Sequence, residues 1–237
     1  MNNMKRLLLI SNSTTAGEPY LKYPIGRIGS FLAGVRSVAF VPYAAVTFSY
    51  GEYEAKVQQR FDEIGIKVHS VHRASSPEEA IMQAEAICVG GGNTFALIKN
   101  MQEQGLVGAI ASRVAEGVPY VGWSAGSNVM CPTICTTNDM PIVQPQSFGA
   151  IGGIRFQINP HYLDAHPDGH AGETREQRIL EYIEANPDMY VAGLREGCML
   201  HVEGERIELI GPRPMRIFKK GIEPYEVSAG DDLSFLL

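Results

Sequence analysis

Gly122-Trp123-Ser124-Ala125-Gly126 is a G-x-S-x-G pentapeptide, the spacing that turns a chain sharply from strand to helix and lifts a serine hydroxyl out as a nucleophile. Its surroundings are those the motif requires. The run from Val118 to Trp123 reads as a buried strand, and Ala125 to Met130 is compatible with a helix. The helix N-terminus would offer the Ala125 N–H and a positive dipole end to a developing oxyanion. The plainer use of the same residues is a glycine-rich turn with a capping serine. A second turn, Gly90-Gly91-Gly92-Asn93, also follows a buried strand and opens a helix, so its N–H groups converge on the same sheet edge. That suits an oxyanion hole with Gly92 as the second donor, and Asn93 is counted with the substrate-binding residues. A phosphate cradle is the competing use, but the turn has neither the Lys-Ser/Thr ending of a P-loop nor G-x-G-x-x-G spacing.

A serine nucleophile needs a base, and the histidines are His69, His72, His161, His166, His170 and His201. His69 and His72 sit on or just after an early strand and His201 in a hairpin, where structural roles are common. His161, in Ile158-Asn159-Pro160-His161-Tyr162, is expected in a loop emerging at the active edge, and is taken as the base. His161, His166 and His170, interleaved with Asp164 and Asp168, also suggest a metal cluster and with it a metal-dependent amidohydrolase. The spacing matches no recurrent zinc pattern and leaves the serine motif unused. For the acid that orients the base two carboxylates stay open: Glu196, after the strand Met189 to Gly193, and Asp139, in the irregular loop beyond the nucleophile.

These residues need a scaffold, and the chain alternates short apolar runs with amphipathic stretches, the pattern of βα units around a largely parallel sheet. Strands are expected at Lys5 to Ser11, Val38 to Val41, Lys67 to Val71, Ala86 to Val89 and Val118 to Trp123. Tyr53, Val57, Phe61 and Ile64 recur at helical period, and Ser76-Pro77-Glu78-Glu79 starts another helix that runs to about Ala84. Helical segments follow the second glycine turn to about Glu116. From Pro132 to His170 the chain is irregular apart from short strands near Ile142-Val143 and Arg155 to Ile158. Beyond it come a helix from Glu173 to Ala185, the strand Met189 to Gly193, a hairpin of Met199 to Val202 with Arg206 to Ile210, and edge strands in the tail. The expectation is a single α/β domain over residues 1–237, mostly parallel sheet flanked by helices.

At 237 residues with 45% hydrophobic and 19% charged content, the chain is that of a globular protein, not a disordered or collagen-like one. A net charge of -6 offers no general attraction to nucleic acid or anionic membranes, so neither is expected as a partner. Leu7 to Ile10 is far too short to span a bilayer or to act as a secretory signal, which points to the cytoplasm. Cys88, Cys131, Cys135 and Cys198 then read as reduced, mostly buried thiols.

The motifs Gly90-Gly91-Gly92-Asn93, Gly122-Trp123-Ser124-Ala125-Gly126-Ser127-Asn128, Thr137-Asn138-Asp139-Met140-Pro141 and Asn159-Pro160-His161-Tyr162, in that order, closely resemble the peptidase E family of bacterial serine peptidases, α-aspartyl dipeptidases related to cyanophycinase. The resemblance covers nearly the whole chain. It implies a fold like that of class I glutamine amidotransferases (flavodoxin-like), with Ser124 as nucleophile, His161 as base and Asp139 or Glu196 as the acid. It also implies dipeptides with an N-terminal aspartate as substrates and no metal or organic cofactor. Ser127 departs from the alanine expected there. Reading an aspartyl carboxylate with a chain of net negative charge calls for a dedicated cation: Arg175 is the first choice, at the start of the helix after His161, with Arg155 and Arg195 next. A non-catalytic binder of a small acidic metabolite is the alternative from another class. A monomer or small homo-oligomer is expected.

Overall fold

The computed structural model describes residues 5–164 and 172–237. Its elements in chain order are β1 (Arg6–Ile10), α1 (Ile25–Phe31), β2 (Ser37–Val41), α2 (Tyr50–Phe61), β3 (Lys67–Ser70), α3 (Pro77–Met82), β4 (Ile87–Val89), α4 (Thr94–Glu103), α5 (Leu106–Ala115), β5 (Tyr120–Trp123) and α6 (Ala125–Asn128). They continue with β6 (Gln157–Tyr162), α7 (Arg175–Ala185), β7 (Val191–Arg195), β8 (Met199–Glu203), β9 (Arg206–Ile210), β10 (Met215–Lys219) and β11 (Ile222–Val227).

Seven strands form the main sheet in the order β3-β2-β4-β5-β1-β8-β9, parallel from β3 to β1 and closed by the antiparallel pair β8 and β9. The central strands are covered on both faces, which is why they read as unbroken apolar runs. Leu7 and Leu9 of β1 point to one apolar cluster and Leu8 and Ile10 to the other. Four strands form a second sheet, β11-β10-β7-β6, in which only β6 and β7 are parallel. Ile158, Ala192, Leu194 and Ile217 of that sheet join Leu7, Leu9 and Val89 of the first in one core cluster, so the sheets share an interior. The tail strands are therefore edge and inner strands of a second sheet and do not extend the first.

Local chemistry explains most boundaries. Ser49 caps α2 in a reciprocal capping box with Glu52, and Ser76 caps α3 with Pro77 in its first turn, as the sequence signals require. Two expectations are corrected. No strand forms at Ile142-Val143, because Pro141 and Pro145 remove ladder donors on either side and Ile142 is exposed. β6 starts two residues later than Arg155 and runs on through Pro160 to Tyr162. A proline is tolerated there because β6 pairs with β7 alone and the register shifts between Pro160 and Tyr162. α1 is an element that the sequence pattern does not announce, since no side chain caps it.

Candidate active site

β5 ends at Trp123, and Ser124 makes the turn into α6 with φ 54° and ψ -115°. This backbone is unfavourable for any residue but glycine, by roughly 1–3 kcal/mol, and survives only where the surroundings over-determine it. They do so here. The Ser124 N–H donates to Ile10 O at 3.0 Å, and Ser124 O accepts from Ser127 N at 2.9 Å and Asn128 N at 3.0 Å. A Cβ on Gly126 would lie 2.1 Å from Val89 O, so only glycine lets α6 lie this close to β4. Ser127 is fully buried under the turn, its Oγ between Ile10 O at 2.7 Å and Gly122 O at 2.9 Å. It is a brace for the turn, whereas the half-buried Ser124 lines a cavity of about 500 Å³.

His161 is not in a loop after a strand. It is the extra residue of the bulge that ends β6, with φ 53°. Its N–H donates to Ser11 Oγ at 2.9 Å, Ser11 Oγ donates to Leu194 O at 2.7 Å, and Arg175 Nη1 donates to His161 O at 2.9 Å. The peptide groups flanking this strained residue are thus fixed from β1, β7 and α7. The imidazole is aimed accordingly: Nε2 stands 2.9 Å from Ser124 Oγ and Nδ1 stands 2.7 Å from Glu196 Oε1. Glu196 follows β7 directly, and Asn12 Oδ1 holds the next residue by accepting from Gly197 N at 2.8 Å.

Of the two carboxylates, Glu196 is brought to the imidazole and Asp139 is not. Asp139 lines the same cavity but turns Oδ2 to α4, accepting from Thr94 N at 2.7 Å, Thr94 Oγ1 at 2.6 Å and Thr137 Oγ1 at 3.2 Å. The side chain of Asn93 is likewise committed: Oδ1 caps α4 through Ala96 N and Nδ2 donates to Met140 O. It acts as a cap and a loop tie, not as part of the cavity wall.

The cations separate as clearly. Arg175 lines the cavity, and no carboxylate among the described residues forms an ion pair with it, because Glu173 goes to Arg178 and Glu176 to Arg216. Burial and the neighbouring Arg178 hold its guanidinium below the usual arginine range, while Glu196 and Asp139 act in the opposite sense. Arg195 is committed elsewhere, gripping Asp164 and Glu226 with two bonds each. Arg155 borders a different cavity, with Lys5. His72 accepts or donates at Ser70 Oγ, and His201 packs edge-on against Phe31, both in places apart from the site. His166, His170 and Asp168 lie outside the described residues.

In the glycine turn, the Gly90 and Asn93 N–H groups are bonded to Val41 O and Ala44 O, whereas those of Gly91 and Gly92 have no acceptor among the described residues. Gly91 abuts Ser124: a Cβ there would lie 2.8 Å from Ser124 Cβ. Gly92 has φ 138° and would drive a Cβ to 2.3 Å from Ala44 O. Ser11 and Thr94 are supports of the site that the motifs do not name, and Thr137, inside one of them, turns out to hold Asp139. For Ser11 a signal exists, since it ends a parallel strand at the edge where such sites form.

A serine, an imidazole and a carboxylate in hydrogen-bonded series at the carboxyl ends of strands define a serine hydrolase of the α/β class. Residues 7–210 match Peptidase family S51, and the chain belongs to that family. It is 50% identical over 234 residues to a peptidase E of Nostoc sp., covering 98% of this chain and 97% of that one. It is 47% identical over 224 residues to a peptidase E of Salmonella arizonae, covering 94% and 98%. Two solved structures share the fold: a putative peptidase E of Listeria monocytogenes (TM-score 0.66, 21% identity, 89% of this chain and 100% of that one) and a peptidase of an acI-B1 actinobacterium (TM-score 0.67, 18% identity, 96% of each). The protein is a serine-type peptidase. Among the described residues no helix is long and apolar enough to cross a membrane.

Proposed function

We propose that this peptidase hydrolyses dipeptides with an N-terminal aspartate through an acyl-enzyme on Ser124. The observation that carries the reading is the series Ser124 Oγ, His161, Glu196 at 2.9 and 2.7 Å, opening on a cavity that holds an arginine without an ion-pair partner among the described residues. His161 takes the Ser124 proton as the hydroxyl attacks the scissile carbonyl, and Glu196 stabilises the imidazolium and keeps its proton on Nδ1. The oxyanion falls to the N–H of Ala125, at the start of α6, and of Gly92, next to the glycine that abuts Ser124. His161 returns the proton to the leaving amine, the product amino acid departs, and water activated by His161 releases aspartate and Ser124. Arg175 binds the aspartyl side chain, its planar fork matching a carboxylate with two parallel bonds.

The metal-dependent alternative asks His161 to be a ligand, but both its ring nitrogens already face partners. Non-catalytic binding leaves two strained residues, Ser124 and His161, without a purpose. Asp-Leu, Asn-Leu, Glu-Leu and Ala-Leu are to be tested with the wild type and Ser124→Ala, with a chelator and a serine-directed phosphonate in parallel. Asp-Leu is expected to be the best substrate, the phosphonate and the alanine variant to abolish turnover, and the chelator to have no effect. Full activity of Ser124→Ala, or loss with the chelator alone, overturns the mechanism, and equal rates on all four peptides overturn the specificity.

A further inference from the structure

The glycine turn beside Ser124 is met from α2 by a buried phenol. Tyr53 packs its ring edge-on against Phe40 and Phe48. Its hydroxyl donates to Gly91 O at 2.8 Å and accepts from Trp123 Nε1 and from Tyr20 OH, each at 3.2 Å. The direction of every proton is forced, since an indole N–H only donates, a carbonyl only accepts and a phenol has one proton to give. Burial pushes the Tyr53 phenol up to about 12, so it keeps that proton through neutral and mildly alkaline pH. Gly90 makes the approach possible, because a Cβ there would lie 2.5 Å from the Tyr53 oxygen.

In a trans peptide the carbonyl and the following N–H point in opposite directions, so the bond to Gly91 O also fixes the Gly92 N–H, turned away from the phenol. The ends of the turn are pinned by the Gly90 and Asn93 N–H groups, but the peptide between Gly91 and Gly92 has no other hydrogen bond among the described residues. Glycine stands on both sides of it, with no side chain to resist rotation, and Gly92 is exposed. Swung over, this peptide would present a carbonyl where the mechanism needs a donor. Resting on the acyl-enzyme reading above, in which the Gly92 N–H receives the oxyanion, we infer that Tyr53 is a positioning residue for the reaction: its hydroxyl holds the Gly91–Gly92 peptide with the N–H toward the reacting carbonyl. Trp123, the residue before the nucleophile, bonds to the same phenol. One oxygen thus ties the turn that carries Ser124 to the turn that carries the second oxyanion donor.

Tyr53→Phe keeps the ring and removes the donor, whereas Tyr20→Phe removes a bond to the same oxygen and leaves the one to Gly91. On Asp-Leu, Tyr53→Phe is expected to lower kcat about tenfold with KM held within about twofold. That is short of the roughly 10²–10³ lost when an oxyanion donor is deleted, because the freed N–H still visits its working orientation. Affinity for the boronic acid analogue of aspartate, whose tetrahedral adduct on Ser124 puts a hydroxyl in the oxyanion position, is expected to fall by about the same factor. Tyr20→Phe is expected to stay within about twofold in both. A mere loss of packing would raise KM or slow the two variants alike. Either result overturns the inference, as does an unchanged boronic acid affinity in Tyr53→Phe. Should Tyr53→Phe not fold, Tyr53→p-fluorophenylalanine and Tyr53→p-aminophenylalanine fill the same space, and only the second donates. The first is then expected to lose about tenfold in kcat and the second to stay within about threefold; equal losses overturn the inference. The ester p-nitrophenyl acetate acylates a serine with no side chain to be recognised. Wild-type turnover of this ester but not of Asp-Leu refutes the Asp-X specificity alone, and the variants are then compared on the ester. A wild type inert toward both refutes the acyl-enzyme reading, and the inference falls with it.

Discussion

Glu196→Gln keeps the size of the side chain and an oxygen that can accept from His161 Nδ1, and removes only the charge. In the proposed mechanism, the imidazolium formed when His161 takes the Ser124 proton faces a carboxylate 2.7 Å from Nδ1. With charge centres about 4 Å apart, the attraction is about 4 kcal/mol at an effective dielectric near 20 and about 1 kcal/mol in bulk water. The His161 and Glu196 side chains are 36% and 46% exposed, which places the pair between these limits. The loss is therefore about 2 kcal/mol, or some 30-fold in kcat, well short of the roughly 10⁴-fold cost when a buried triad carboxylate is replaced. The assay is kcat on saturating aspartyl p-nitroanilide at low and high ionic strength. Because the pair is exposed, salt should slow the wild type more than the variant and narrow the gap between them. A loss below threefold would mean that Glu196 does not stabilise the imidazolium. A loss of 10⁴ or more, insensitive to salt, would mean that the occupied site excludes water and that the exposure argument is wrong.

Arg175→Ala should lower kcat/KM on Asp-Leu by the equivalent of about 2–5 kcal/mol and on Asn-Leu much less; equal loss on both would show that the residue only supports His161 O. Ser127→Ala should leave kcat nearly unchanged while lowering stability by about 1 kcal/mol, read as a fall of about 3 °C in Tm, because it removes one buried hydroxyl donor beneath the turn. Arg195→Met should lower stability at neutral pH by about 2 kcal/mol, measured by urea unfolding, since it strips Asp164 and Glu226 of their common partner. Bonding to Arg195 holds both carboxyls below their usual range, so its contribution is present above about pH 5 and is lost as pH falls through their depressed values. The gap between wild type and variant should accordingly close in acid, and a gap that widens there would refute the assignment.

What was legible in the chain is what depends on neighbours in sequence. The strand, the sharp turn and the serine lifted out at Ser124 are written within a dozen residues, because a G-x-S-x-G turn is a local steric solution. Burial on both faces made the central strands readable as apolar runs, and Ser49 and Ser76 announced their helices by bonds that span three residues. His161 could be chosen because it lies near the carboxyl end of a strand, but not its place inside a bulge, since Pro160 argues locally against a strand and only an edge position excuses it. That Glu196 and not Asp139 contacts the imidazole depends on the parallel pairing of β6 with β7, which sets Arg195, and so the turn carrying Glu196, beside the end of β6. That β10 and β11 build a second sheet with them is a non-local pairing that no run of residues encodes. Arg175 shows the same limit from another side. Glu173 and Glu176 are near it in sequence, yet Arg178 and Arg216 take them, and Arg216 arrives from a strand 40 residues away. Sequence determines which groups are available and which turns they can make; the packing of the two sheets decides which charges meet and which are left for a substrate.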